Sequence, residues 1–136
     1  MRRRALSLVA VAVAGLLAAC AGDKAQLVDP NIVPTNYKNE ILNTLTSTLV
    51  DPTNVRDAYI SPPALTQVGK DQRYTACVRY NARDEAKHYV GSTDHIVYFY
   101  GGHLNQLVDA TPEQCAKAAY QPFPELEKLC LAKNCG

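Results

Sequence analysis

Apolar positions along this chain change their spacing several times, and each change marks a different kind of segment. Over residues 5–19 they form an almost unbroken run. Over residues 37–49, Tyr37, Ile41, Leu42, Leu45 and Leu49 recur at helical spacing, with Lys38, Asn39, Asn43 and Thr46 between them. That pattern predicts an amphipathic helix, capped by Thr35 or Asn36. Asp51-Pro52 ends it, because the residue before a proline avoids the helical region. Its many threonines lower intrinsic propensity, so the helix depends on packing.

The spacing then shifts to alternation. Residues 55–61 predict a short, weak strand stopped by Pro62-Pro63, and residues 64–72 read as a loop. Residues 73–82 give the best strand: Tyr74, Ala76, Val78 and Tyr80 share one face, and Thr75, Cys77, Arg79 and Asn81 share the other. A charged turn at residues 83–87 precedes a second strong strand at residues 95–100. Gly101-Gly102 then supplies the positive φ angles of a two-residue hairpin turn, and residues 103–109 return as the next strand. Thr111-Pro112-Glu113-Gln114 matches a capping box with proline at the first helical position. The helix it opens is predicted to run to Tyr120, before Pro122-Phe123-Pro124. A last short helix is expected over residues 125–131.

This order predicts an α+β domain: an antiparallel sheet of three to four strands with two or three helices on one face. The chain has 136 residues, enough for one modest core. Three of its 14 basic residues are Arg2, Arg3 and Arg4, and the remainder is slightly acidic against 13 Asp and Glu. Nothing clusters into a basic face, which argues against nucleic acid as a partner.

The apolar run after Arg2, Arg3 and Arg4 has the layout of a secretory signal, and its 15 or so residues fall short of the roughly 20 that span a bilayer. Its end, Leu17-Ala18-Ala19-Cys20, resembles the lipobox of bacterial lipoproteins. That resemblance implies removal of residues 1–19, a diacylglycerol on the Cys20 sulfur and an acyl chain such as palmitate on its amino group. More than one chain gives stable anchoring in the lipid bilayer. Residues 20–35 then read as the lipidated cysteine and a flexible tether, interrupted by Pro30 and Pro34, and residues 36–136 as the domain. Ala21 follows the cysteine, which resembles outer-membrane lipoproteins and implies a periplasm-facing place in the cell envelope.

An exported chain meets an oxidising compartment, so Cys77, Cys115, Cys130 and Cys135 are expected to form disulfides. Of three pairings the favoured one is Cys77–Cys115 with Cys130–Cys135. The second pair would tie down the C-terminal end. A four-cysteine zinc site is the rival, but Cys77 and Cys115 lack the close CxxC partners such sites use.

The order of elements, with Cys77 in Arg73-Tyr74-Thr75-Ala76-Cys77-Val78 and Cys115 in Pro112-Glu113-Gln114-Cys115-Ala116, resembles the C-terminal domain of the TolA/TonB group over residues 36–124. The resemblance is topological. It implies a small protein-binding module, and the chain departs from the group in having no long stalk and in adding Cys130 and Cys135.

Candidate chemistry is sparse. His88, His95 and His103 surround the central strands, with Asp94 beside His95, and His95 and His103 flank the glycine turn as the best geometric case for a metal. No HExxH-type motif accompanies them, so no metal or other cofactor is expected. Asp84 and Glu85 are adjacent on a loop tip and cannot flank a substrate as an acid–base pair must. No nucleophile-elbow, phosphate-loop or dinucleotide pattern occurs. Tyr74, Tyr80, Tyr98 and Tyr100 are the candidate interaction surface, set against the alternative that they simply pack a half-buried sheet. The chain is therefore expected to be a non-catalytic, membrane-anchored interaction or assembly module whose partner is another envelope protein. The alternatives are a peptidoglycan- or glycan-binding lipoprotein and, third, a histidine-based metal-binding or enzymatic protein.

Overall fold

In chain order the elements are α1 (Tyr37–Thr48), β1 (Asp51–Ile60), β2 (Ala64–Val68), β3 (Asp71–Arg83), β4 (Thr93–Tyr100), β5 (His103–Asp109), α2 (Pro112–Cys115), β6 (Gln121–Pro122) and α3 (Pro124–Glu127). This computed structural model describes residues 27–129. The apolar leader, Cys20 and the expected Cys130–Cys135 pair lie outside the described residues. All six strands join one antiparallel sheet in the order β5-β4-β3-β1-β6, with β2 also paired to β3.

The sheet has more strands than the three to four expected, and both additions sit on one edge. β3 is long enough to carry two neighbours end to end. Its first half pairs with β2 (Ala64↔Thr75 to Val68↔Asp71) and its second half with β1 (Ile60↔Val78, Tyr59↔Arg79). The segment read as a loop is thus the β2–β3 hairpin, turned by Gly69 at φ +61°. β1 extends back to Asp51 through two register shifts. Asn54 and Asp57 take φ of 57° and 52° there, a conformation those short polar side chains tolerate.

One face carries the main core. Ala76, Val78, Tyr80 and Ala82 of β3, with Val97 and Phe99 of β4, meet Ile41 and Leu45 of α1 and Leu126 of α3. Ile41 and Leu45 are four residues apart, so one turn of α1 drops both onto the sheet. The weak helix formers on its other side are satisfied locally: the Thr44, Thr46 and Thr48 hydroxyls donate to carbonyls four residues back. Glu40 clasps α1 to β5 by accepting from the Leu104 N–H and pairing with His103 Nδ1 at 2.9 Å. At the other end, Glu127 of α3 accepts from the Ala58 N–H of β1 at 2.9 Å.

The helices do not all lie on one face. α2 sits on the opposite side, where Cys115 is disulfide-bonded to Cys77, and Ile96 completes a small second core. α2 is also shorter than predicted. Its capping box forms, with the Thr111 N–H donating to Gln114 Oε1 at 2.8 Å, but the helix ends after one turn. The chain then crosses the sheet to place Gln121 opposite Ile60 in β6.

The expected domain start at Asn36 falls inside packed chain. Pro34 is buried, and the Pro30 carbonyl accepts the Gly101 N–H at 3.0 Å. This incoming segment crosses the β4–β5 turn so closely that a Cβ on Gly101 would stand 2.8 Å from Val28 Cγ1.

Candidate functional site

The disulfide face is only half covered. Directly paired residues of an antiparallel ladder share a face. The pairs Thr66↔Arg73, Thr75↔Tyr98 and Tyr98↔Gln106 therefore all lie on the side of Cys77, with Tyr100 two residues beyond Tyr98. α2 reaches Cys77 and Ile96 and stops. Beyond it the sheet presents Thr66, Arg73, Tyr98, Tyr100 and Gln106, with Thr75 buried among them.

Two shallow pockets mark this open half. One of 490 Å³ lies among Arg73, Tyr98, Tyr100, Asn105 and Gln106. The other, of 270 Å³, lies among Thr66, Thr75, Tyr98 and Gln114. The residues between them hold one another in place. The Arg73 guanidinium sits 5.8 Å from the Tyr100 ring centroid and donates to the Gln72 carbonyl at 2.6 Å. Gln114 uses its oxygen in the capping box and donates its nitrogen to the Tyr98 hydroxyl at 3.0 Å. That hydroxyl keeps its own proton free for an incoming acceptor. This arrangement offers aromatic faces, amides and one guanidinium, the chemistry of reversible binding.

A rigid clamp bounds the covered half. Arg79 of β3 and Asp94 of β4 face each other in the ladder and form a two-point ion pair at 2.7 and 3.1 Å. The Tyr120 hydroxyl donates to the same carboxylate at 2.8 Å, and Arg79 stacks 4.5 Å from the Tyr120 ring. The Arg79 hydrogen bonds hold the Asp94 carboxyl below its ordinary range, against an opposing effect of burial. Burial, then the bond to Asp94, pushes the Tyr120 phenol up. The clamp fixes the segment that leads from α2 to β6.

The four candidate tyrosines do not form one surface. Tyr74 packs against the main core and Tyr80 is buried in it, whereas Tyr98 and Tyr100 stand on the opposite face. Burial pushes the Tyr80 phenol up to about 12.

The histidines do not converge either, which corrects the geometric case for a metal. Tyr100 pairs with His103, and His95 pairs with Asp109 at the far end of the same hairpin. His95 is 8% exposed and stacks on Tyr80, ring centroids 4.4 Å apart and planes within 3°. Its Nε2 lies 3.2 Å from Asp109 Oδ1, and its Nδ1 has no hydrogen-bond partner. Burial holds its pKa below the ordinary value, with Asp109 opposing. His88 belongs to an exposed loop closed on Asp84, whose carboxylate accepts the His88 N–H at 2.9 Å. No group of three metal-ligating side chains occurs among the described residues.

Sequence reading missed three polar constellations. The clamp was out of reach, since the long connection between β3 and β4 leaves the register that sets Arg79 opposite Asp94 unspecified in the sequence. The Glu40 clasp had no local signal. Nor had Asp51, a buried carboxylate that accepts from Thr53, Arg83 and Lys87 and is held far below its ordinary range, first by the Thr53 hydroxyl.

Comparison of the chain with family models, with curated proteins and with solved structures returns no match. No helix among the described residues is long and apolar enough to span a membrane.

Proposed function

We propose that this chain is a non-catalytic lipoprotein of the cell envelope, anchored through Cys20 and facing the periplasm, that binds an envelope protein with the open half of its disulfide face. The observation that carries the reading is the pairing of Leu17-Ala18-Ala19-Cys20 with a domain stapled by Cys77–Cys115. A lipobox implies export, and a disulfide suits the oxidising compartment that export reaches. Arg73, Tyr98 and Tyr100 supply the residue types enriched at protein interfaces. Ala21 favours the outer membrane over the inner.

The test is crosslinking in cells followed by affinity purification, comparing wild type with Cys20→Ser. A discrete partner in near-stoichiometric yield, lost without the anchor, is the expected result. No partner with either form overturns the interaction reading. Uptake of labelled palmitate by Cys20→Ser would overturn the anchor.

The 490 Å³ pocket favours a second reading, a glycan of the cell wall. Tyr98 and Tyr100 offer flat apolar faces to a sugar ring, and Asn105, Gln106 and Arg73 offer hydrogen bonds to its hydroxyls. Sedimentation with purified sacculi distinguishes the two, because only a glycan binder is carried down.

A further inference from the structure

The described sheet edges are guarded unequally. β6 pairs with β1 at Tyr59 and Ile60, and the Phe123 N–H donates to the Ala58 carbonyl at 2.8 Å, so the outer side of β1 is occupied there. Two bulges twist the rest of β1. At the other edge α1 reaches over β5, and Glu40 takes the outward Leu104 N–H. β2 has neither device. It is Ala64-Leu65-Thr66-Gln67-Val68, with no charge and no proline in its length, and only Val68 is even half-buried. Edge strands left this way are templates for another strand.

The groups on offer follow from the turn. A two-residue hairpin loop makes Val68 and Asp71 a hydrogen-bonded pair, so the backbone amides and carbonyls of Leu65 and Gln67 point away from β3. On β3 the Cys77 carbonyl accepts the Ser61 N–H at 2.9 Å, and Cys77 has the parity of Asp71, Arg73 and Thr75, so the same set of β3 groups faces this side along its length. Five residues of vacant edge therefore continue the line that β6 fills for two.

We propose that the occupant is a second copy of this chain, joined β2 to β2 in antiparallel fashion about a twofold axis through Thr66. The geometry selects this register. Leu65 of one copy must exchange hydrogen bonds with Gln67 of the other, which puts Thr66 opposite Thr66 and Ala64 opposite Val68. All five residues then pair, and the Gly69-Lys70 turn of each copy lies opposite Pro63-Pro62 of its partner, short of β6. Sliding one way by two residues drives that turn into Gln121, which already pairs with Ile60. Sliding the other way leaves only three residues paired. No charge meets its like across this seam, and a Thr–Thr pair at its centre is a favourable one. Such an interface is isologous and closes, giving a dimer rather than a fibre. The seam is independent of the Cys20 anchor and uses the backbone edge of β2, whereas the Thr66 side chain at its centre also borders the open face.

The test is photo-crosslinking in cells from p-benzoylphenylalanine at position 65 of the full chain. The expected product has twice the chain mass and joins position 65 to the peptide containing Gln67. Thr66→Lys puts two ammonium groups face to face across the axis, and Thr66→Asp puts two carboxylates there. Each variant alone is expected to lose the product at least tenfold, and coexpressing the two to restore it. That recovery also shows that neither variant has failed to fold. A product with a different protein, no product from the otherwise unaltered chain, or coexpression no better than either variant alone overturns the proposal.

Discussion

The two faces of the sheet are held by different physics. On one, Ile41, Leu45, Val78, Val97, Phe99, Phe123 and Leu126 are all essentially removed from water, and α1 and α3 stay in place by burial. Fully burying side chains of this size contributes about 1.5–3 kcal/mol each. On the other, only Cys77, Ile96 and Cys115 among the described residues form a buried cluster. A four-residue helix cannot hold itself there, since an isolated helix that short is unstable. A covalent bond and an ion pair take over. The same strand, β3, supplies Val78 to the first face and Cys77 and Arg79 to the second, so alternation alone assigns the two regimes. The second arrangement frees the rest of its face, because the staple needs little area and leaves Tyr100 exposed and Tyr98 half-exposed.

The sharpest way to break the contrast is to empty the buried face. Phe99→Ala is expected to cost about 3–5 kcal/mol in urea unfolding, from lost transfer energy plus a cavity. A loss near that of an exposed site would mean that α1 does not depend on this core. On the stapled face the equivalent change is covalent. Cys77 and Cys115 are 38 residues apart, and closing such a loop is worth about 3–4 kcal/mol in the chain-entropy account. Cys77→Ala, Cys115→Ala and the double variant are expected to lose the same amount, because one bond is broken in each case. Additive losses would mean that the two cysteines stabilise independently.

How much of this was legible follows the same division. Helical spacing found α1, alternation found β3 and β4, and Gly101-Gly102 found the turn. Each reports on a single face and period. β1 was read only from Val55, because Pro52, Asn54 and Asp57 are poor strand residues that the fold uses in bulges. β2 was missed because its residues are exposed on both faces, so burial writes no alternation into them. The helix predicted to run to Tyr120 stops at Cys115 because tertiary demands override propensity: Tyr120 must reach Asp94 and Gln121 must pair with Ile60. The site itself was half visible. Tyr98 and Tyr100 belong to it, and Tyr74 and Tyr80 do not. Counting back from the glycine turn pairs Tyr100 with His103 and leaves His95 five residues further along β4, which would have separated the histidines; the bulge between Tyr98 and Phe99 then shifts the partner of His95 from Val108 to Asp109.

A smaller effect separates the clamp from the staple. Arg79 is 42% exposed, so its ion pair with Asp94 is discounted for solvent and its removal is expected to cost about 1 kcal/mol. Tyr120→Phe is expected to cost a similar amount through the lost bond to a carboxylate. In a double-mutant cycle Arg79→Ala and Asp94→Asn are expected to be non-additive. Because the folded Asp94 carboxyl is held low, the unfolded chain takes up its proton first. The clamp's contribution is therefore complete above the ordinary carboxylate range and fades as pH falls through the lowered folded value. Asp94→Asn is expected to flatten the acid limb of stability below about pH 4. An unchanged limb would place that dependence elsewhere, with Asp51 the other carboxyl held low.

The buried face has one histidine in its wall, the group there that titrates nearest neutral pH, and it gives the smallest and most specific effect. His95 stacks on Tyr80 with its Nδ1 unpartnered, so its neutral form suits the fold and its charged form does not. The unfolded imidazole accepts a proton near its ordinary value of 6.5, while burial delays that uptake in the folded chain. The unfolded state thus binds more protons below that value, and stability is expected to fall as pH drops from 7 to 5. The bound is about 1.4 kcal/mol per pH unit for one proton, and the opposing Asp109 carboxylate keeps the effect beneath it. His95→Phe preserves a flat ring on Tyr80 and removes the titration, so its stability is expected to be level over that window. Asp109→Asn removes the counter-charge 3.2 Å from Nε2 and is expected to steepen the loss. A slope that survives His95→Phe would show that the buried face is insensitive to pH, and that its histidine is only another packed ring.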